Sequence, residues 1–274
     1  MTRRGLYDNL ADDEQGGSVT RTPASPLRDR IALVTGATGG IGAASAAALA
    51  RDGAHVVLAD LDVDAGGRLV EQLGGSARAT FLRVDVTDPG SVDDAVAEIV
   101  RRFGRLDIAH NNAGVQFAET LLADTPLAQW DRMIATNLSG VFYSMRSEIT
   151  AMRASGGGSI VNTGSVLSVR AMKLHGAYTA AKHGVIGLTK SAALEYSADG
   201  IRVNAVLPGV IDTPMVAHLA ATLPGYLDEV TSGHPIGRIG TPSEIAEAVV
   251  WLASDAASFV TGASLEADGG FLVA

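Results

Sequence analysis

Tyr178 and Lys182 stand four residues apart in Tyr-Thr-Ala-Ala-Lys, a spacing that puts both side chains on one face of a helix, one turn apart. A phenol so placed can exchange a proton with a substrate oxygen. In water it titrates near ~10, too high for easy exchange at neutral pH, and a neighbouring ammonium favours the phenolate. Bringing it to about 7 takes roughly 4 kcal/mol, at ~1.36 kcal/mol per unit; a cationic ligand beside the pair would supply part. An isolated pair of this spacing reads more readily as an aromatic lying on a lysine stem. The neighbouring motifs decide between the two.

Upstream, Thr35-Gly36-Ala37-Thr38-Gly39-Gly40-Ile41-Gly42 follows a strand-like run and opens an alanine-rich stretch. Glycines there let the backbone approach a pyrophosphate, whose charge a helix N-terminus favours. Closing a tight β-to-α connection is the other use of such a turn, so its specificity is modest. Asp60 ends the next strand-like run, eighteen residues after Gly42. A carboxylate there accepts both ribose hydroxyls of NAD and repels the 2'-phosphate of NADP. Neither the turn nor Leu61, directly after Asp60, offers an Arg or Lys to receive that phosphate. The expected cofactor is NAD.

The elements that must position these residues are legible as alternation. Strand-like runs Ile31–Thr35, Val56–Asp60, Phe81–Asp85, Leu106–His110, Ser159–Asn162, Ile201–Leu207 and Ser264–Ala267 are separated by helical segments, which predicts a parallel sheet with right-handed crossovers. Pro89 to Phe103 sets Val92, Val96, Ile99, Val100 and Phe103 on one stripe, as a helix covering a sheet requires. Residues 126–153 and 175–198 are long enough for substantial helices. Asp212 to Gly240 is broken by Pro214, Pro224, Gly225, Gly233 and Pro235, and reads as an irregular lid or binding loop. The expected fold is α/β: a Rossmann-type doubly wound parallel sheet with helices on both faces, in one domain over 29–274. Residues 1–28, rich in turn formers and balanced charges, are expected to lie outside it as a flexible extension.

At 274 residues and 47% hydrophobic content, one large core is available. No cysteine is present, which excludes disulfides and thiolate chemistry and agrees with a reducing compartment, so a cytoplasmic location is expected. The six histidines show no metal-ligand spacing, and no metal is expected. A net charge of -9 argues against nucleic acid. No apolar run approaches the ~18 residues of a membrane span. Arg3-Arg4 is followed by Asp8, Asp12, Asp13 and Glu14 where a twin-arginine export signal needs an apolar stretch.

Residues 30 to 274 resemble the short-chain dehydrogenase/reductase family, in its single-domain branch of roughly 250 residues. The matching motifs are Thr35-Gly-x-x-x-Gly40-x-Gly42, Asn111-Asn-Ala-Gly114, Asn137, Ser165, Tyr178-x-x-x-Lys182, Pro208-Gly209 and Thr213. The spacing Gly36-x-x-Gly39-x-x-Gly42 also fits the longer branch that acts on nucleotide sugars; chain length, Asn111 to Gly114 and the lack of a sizeable C-terminal domain favour the shorter one. The four-residue interval from Tyr178 to Lys182 argues against the enoyl-reductase branch.

The resemblance implies Tyr178 as acid/base, Lys182 lowering its pKa and binding the nicotinamide ribose, and Ser165 hydrogen-bonding the reacting oxygen. Ser168 and Thr163 are rival hydroxyls, and the thirteen-residue interval to Tyr178 selects Ser165. Asn137 would hold a water linking Lys182 to solvent; a polar helix residue bonding nearby backbone is the other account of it. The same resemblance places Gly36, Thr38, Gly40, Ile41, Gly42, Asp60 and Leu61 around the phosphates and ribose. Asp85 and Val86 would lie beside the adenine, Asn112, Ala113 and Gly114 beside its ribose, and Pro208, Gly209, Ile211 and Thr213 beside the nicotinamide.

By family position the substrate would meet Gln116, Phe117, Leu167, His175, Val210 and, from the loop, Met215, Leu219 and Tyr226. A lone histidine such as His175 is more often structural. Together these imply an NAD-dependent oxidoreductase interconverting a secondary alcohol and a ketone. The alternatives are a 3-oxoacyl carrier-protein reductase-like enzyme, disfavoured by Asp60 and the acidic balance, and a non-catalytic dinucleotide sensor, disfavoured by the presence of both Tyr178 and Lys182. Family members commonly form homotetramers, for which Ile245, Val249, Trp251 and Leu252 are candidate contact residues.

Overall fold

The computed structural model describes residues 26–117, 119–222 and 225–274. Seven strands form one sheet: β1 (Ile31–Thr35), β2 (His55–Asp60), β3 (Ala79–Arg83), β4 (Ile108–Asn111), β5 (Gly158–Thr163), β6 (Ile201–Pro208) and β7 (Ser264–Ala267). Every pairing is parallel, in the order β3-β2-β1-β4-β5-β6-β7. The inner strands are buried on both faces, which is why they read as continuous apolar runs rather than alternating ones.

The described residues also form nine α-helices: α1 (Gly40–Arg51), α2 (Val63–Gln72), α3 (Pro89–Phe103), α4 (Leu127–Ile134), α5 (Gly140–Ser155), α6 (Gly176–Tyr196), α7 (Pro214–Thr222), α8 (Tyr226–Ser232) and α9 (Pro242–Ala253). One face carries α3, α5 and α6, whose Val92, Val96, Ile99, Met145, Met152 and Val185 join Leu33, Val57 and Ile160 of the strands in one core. On the other face, Leu49 of α1 and Val250 of α9 pack with Val34, Val56 and Leu58. The chain supplies firm ends: Asp88 caps α3 by accepting from the Gly90 N–H, with Pro89 in its first turn, and Gly104 closes it at φ 76°. Thr241 and Glu244 form a capping box on α9.

Sheet order reverses at β1, which lies between β2 and β4, and crevices for ligands open at the carboxyl ends of strands at such a switch point. The register brings those ends level: Thr35 pairs with Asn111, and Asn111 with Asn162.

Three sequence expectations need correction. The segment 212–240 is not largely irregular, since α7 and α8 occupy much of it; Pro214 sits in the first turn of α7, where a proline stabilises a helix start. The fold begins before residue 29, because Leu27 is buried in the core and its N–H bonds the Asp52 carbonyl at 3.0 Å; most of the expected extension, residues 1–25, lies outside the described residues. Ile245, Val249 and Leu252 are interior residues of the chain's own core, and Trp251 alone of the four is exposed.

Candidate active site

Lys182 is brought to the strand ends by α6. Its side chain is buried, and Nζ donates to the Thr163 carbonyl at 2.7 Å, at the end of β5. Nζ lies 5.6 Å from the centroid of the Tyr178 ring. Burial disfavours the ammonium and brings Lys182 down to about 8. The same burial pushes the Tyr178 phenol up, partly offset by a hydrogen bond with the Ser165 side chain. The lowered phenol expected from the Tyr178–Lys182 spacing is therefore not present in the protein alone, where the lysine is turned to a backbone carbonyl.

Ser165 is fixed by a short turn, Val166–Ser168: its Oγ accepts from the Leu167 N–H at 3.1 Å, and its own N–H donates to Ser168 Oγ at 3.0 Å. The rival hydroxyls have structural partners. Ser168 is spent on that cap, and Thr163 Oγ1 lies 2.9 Å from Nε2 of the buried His110. Burial pushes His110 down to about 3.

Asn137 sits in a π-helical turn, Ala135–Ser139, between α4 and α5, a distortion frequent at functional positions. Its Oδ1 accepts from the Val115 N–H at 2.8 Å and its Nδ2 donates to the Val115 carbonyl at 2.7 Å. The amide is thus bonded to the backbone of Val115, which ties the turn to the segment after Gly114.

Two cavities meet at Tyr178. The first, about 650 Å³, is lined by Gly36, Thr38, Gly40, Ile41, Asp60, Leu61, Asp85, Val86, Asn112, Ala113, Gly114 and Lys182, among others. Asp60 Oδ2 accepts from the Thr38 N–H at 2.9 Å and Oδ1 from the Leu61 N–H at 2.7 Å, so the carboxylate joins the end of β2 to the glycine turn. Gly36, at φ +62°, is required by close packing, since a Cβ there would lie 2.7 Å from the Ala113 Cα. Gly42 is not on the lining; a Cβ on it would strike the Gly36 carbonyl at 2.1 Å.

Asn112 donates to the Thr35 and Gly36 carbonyls at 3.3 and 3.1 Å, bracing the turn from behind. Asp85 is held below the usual carboxylate range by bonds from the Thr87 hydroxyl and N–H. A dinucleotide fits this cavity: α1 has no acidic residue in its first turn to compete with a pyrophosphate.

The second cavity, about 620 Å³, is lined by Ser165, Leu167, Met172, His175, Pro208, Gly209, Val210, Ile211, Val216, Tyr226 and Phe271, among others. Ile41, Gln116, Thr163, Tyr178 and Thr213 lie on the wall common to both. Phe117 is instead packed on the Met133 and Ala177 cluster beneath the Arg132 guanidinium. The side chains of Met215 and Leu219 lie outside the described residues. Residues the sequence did not point to are Met172, Glu119, Glu229, Val230 and Phe271. Phe271 arrives from the far end of the chain, held by Arg170, whose guanidinium lies 5.2 Å over its ring; no spacing signals such a contact.

Known proteins are similar to this chain in sequence and in fold. Residues 36–272 match the family model described as enoyl-(acyl carrier protein) reductase, of the short-chain alcohol dehydrogenase type. The chain is 41% identical over 251 residues to the cyclohexanol dehydrogenase of Acinetobacter sp. (strain SE19), covering 90% of this chain and 97% of the relative. It is 44% identical over 248 residues to the 2,5-dichloro-2,5-cyclohexadiene-1,4-diol dehydrogenase of Sphingobium indicum (strain DSM 16412 / CCM 7286 / MTCC 6364 / B90A), covering 90% and 98%. The crystal structure of gox2181 superposes with a TM-score of 0.87 at 36% identity, covering 91% of this chain and 99% of that one. With a family model matched over residues 36–272 and relatives more than 40% identical over nine-tenths of its length, the chain belongs to the short-chain dehydrogenase/reductase family, oxidoreductases that act on CH–OH groups.

Proposed function

We propose that the protein is an NAD-dependent dehydrogenase of neutral, ring-sized secondary alcohols, reversible to the ketone. The observation that carries this is Tyr178 on the wall shared by the dinucleotide-sized and substrate-sized cavities. When bound, NAD supplies the hydride-accepting nicotinamide C4. Tyr178 Oη takes the hydroxyl proton, and Ser165 Oγ hydrogen-bonds the same oxygen as charge develops on it. Because burial raises the phenol, an accepting Tyr178 needs cationic charge beside it. Lys182, still protonated at neutral pH with a value near 8, supplies some of that charge. Asp60 favours NAD over NADP, by accepting from a ribose diol and repelling a phosphate.

Substrate charge follows from the cavity lining. Leu167, Met172, Val210, Val216 and Phe271 make apolar walls; the carboxylates on the lining are Glu119 and Glu229, with no Lys or Arg among the described lining residues. A carboxylate substrate meets like charge there, and a carrier protein's phosphate arm finds no basic partner. His175 is turned by its own neighbours, with Nδ1 donating to the Lys173 carbonyl at 2.8 Å. The two ring-alcohol relatives point to substrates of the same size class. The lack of cysteine in the sequence supports a cytoplasmic location. Among the described residues no helix is long and apolar enough to cross a membrane.

The test is a panel of cyclohexanol, 4-hydroxycyclohexanecarboxylate and a 3-hydroxyacyl thioester, each with NAD and with NADP, followed by absorbance of the reduced cofactor. Cyclohexanol with NAD is expected to give the highest kcat/KM, and equal efficiency with the carboxylate or with NADP would contradict the assignment.

A further inference from the structure

One wall of the substrate cavity is assembled from three separate chain segments: Val210 after β6, Val230 on α8, and Phe271 near the C-terminus. His234, two residues beyond α8, contacts all three without itself lining the cavity. It is buried, and its Nε2 accepts from the Val210 N–H at 3.1 Å while its Nδ1 donates to the Val230 carbonyl at 2.6 Å. The ring centroid lies 5.2 Å from that of Phe271. A backbone N–H can only donate and a carbonyl only accept, so this pattern admits one form of the ring, neutral with its proton on Nδ1.

The approach is close enough to dictate sequence. A Cβ on Gly209 would come within 2.7 Å of His234 Nε2, so the glycine of Pro208-Gly209 makes room for the imidazole. The Val210 carbonyl is held separately, by the Gly240 N–H at 2.9 Å. The N–H of the same residue goes to His234. Both nitrogens of the ring are therefore committed to backbone groups of cavity-wall residues, one on each side of the β6–α8 gap.

We infer that His234 is a positioning residue for the substrate: its Nε2 fixes the Val210 peptide, and with it the shape of the wall against which the alcohol packs. The inference rests on the dehydrogenase assignment above. It separates His234 from the chemistry, because the residue touches neither the Tyr178–Ser165 pair nor the dinucleotide cavity. Loss of the bond should loosen ground-state and transition-state binding together, which raises KM and leaves kcat in place.

Three variants divide its two bonds. A glutamine carbonyl reaches the position of Nε2, so His234→Gln keeps an acceptor for Val210; an asparagine amide reaches only the position of Nδ1, so His234→Asn keeps a donor for Val230 alone; His234→Ala keeps neither. KM for cyclohexanol is expected to rise about tenfold in His234→Asn and His234→Ala and to stay within about threefold in His234→Gln, with kcat and NADH affinity within about threefold throughout. Amide exchange at Val210 should accelerate in the Asn and Ala variants and stay near wild type in Gln. Thermal midpoint and NADH binding check that each variant is folded, and if the Ala variant does not fold, the Gln and Asn pair carries the comparison. Equal KM and equal Val210 protection in His234→Gln and His234→Asn would overturn the proposal. A wild-type protein that oxidises no alcohol would instead remove the functional assignment, and the Val210 exchange pattern would still decide whether Nε2 holds the wall.

Discussion

Tyr178 and Lys182 are shifted in opposite directions by one cause, since burial penalises the charged form of each. On the proposed dehydrogenase reading, protonated Lys182 supplies part of the charge that favours the phenolate, and a bound nicotinamide would add to it. Asp60 tests the cofactor half. Replacing it by Ser removes charge-assisted bonds worth roughly 1.5–3 kcal/mol, so NAD affinity should fall about ten- to a hundredfold while NADP discrimination relaxes, read from KM for each cofactor; unchanged preference would count against the diol role.

Glu148 on α5 is a second buried acid, with Oε2 accepting from Asn111 Nδ2 at 2.9 Å, and burial pushes it up to about 8. Its folded value lies above the ordinary 4.5, so the folded state holds the extra proton and stability is lost as pH rises from there to about 8. The slope approaches ~1.4 kcal/mol per pH unit inside that window. Glu148→Gln cannot titrate, so its melting temperature should gain on wild type between pH 5 and 8 and stop gaining above. A gap that does not change with pH would show the carboxyl to be ionised when folded.

At the scale of elements, α7 and α8 line the substrate cavity with Val216, Tyr226 and Val230, and the two ends of their segment are tied to each other by the Asp212 N–H bond to the Gly240 carbonyl at 2.8 Å. Short helices tethered in this way open at low cost, and closing them over bound ligands excludes water from the reacting carbon. Amide exchange across 212–240 is therefore expected to slow on adding NADH with an alcohol analogue; strong protection that ligands leave unchanged would contradict a closing lid. Much of the scaffold was legible because parallel strands buried on both faces leave continuous apolar runs, and the glycine turn, Asp60 and Tyr178–Lys182 could be picked out because their spacings are those of a strand end, a tight turn and one helix face. What was hidden depends on contacts distant in sequence. A proline-broken stretch conceals α7 and α8, since proline reads as a breaker until its place in a first turn is known. The bonding of Asn137 to Val115 and the arrival of Phe271 in the cavity have no local signature. The direction of the Tyr178 shift needed the burial of both partners, which spacing alone does not report.

On the whole molecule, large apolar side chains remain on the surface away from the cavities. Phe259 is fully exposed and Leu194 on α6 is 87% exposed, with Phe142 on α5, Trp251 on α9 and Val273 also uncovered. Burying such a side chain stabilises an assembly by about 1.5–3 kcal/mol. We propose a homotetramer, in which these side chains of α5, α6, α9 and the C-terminal segment would be covered by neighbouring copies. Light scattering is expected to report four copies of the 28.1 kDa chain; a stable monomer at micromolar concentration would refute the assembly. Deleting residues 1–25, which precede the buried Leu27, is expected to change neither the number of copies in the assembly nor turnover per subunit.

The central claim, that this protein oxidises an alcohol with Tyr178 as proton acceptor, is tested most directly by Tyr178→Phe measured in parallel for NAD-linked cyclohexanol turnover and for NADH binding by fluorescence. Removing one hydroxyl should lower kcat at least about a hundredfold while NADH affinity stays near wild type. A Tyr178→Phe protein that kept most of its turnover would contradict the account.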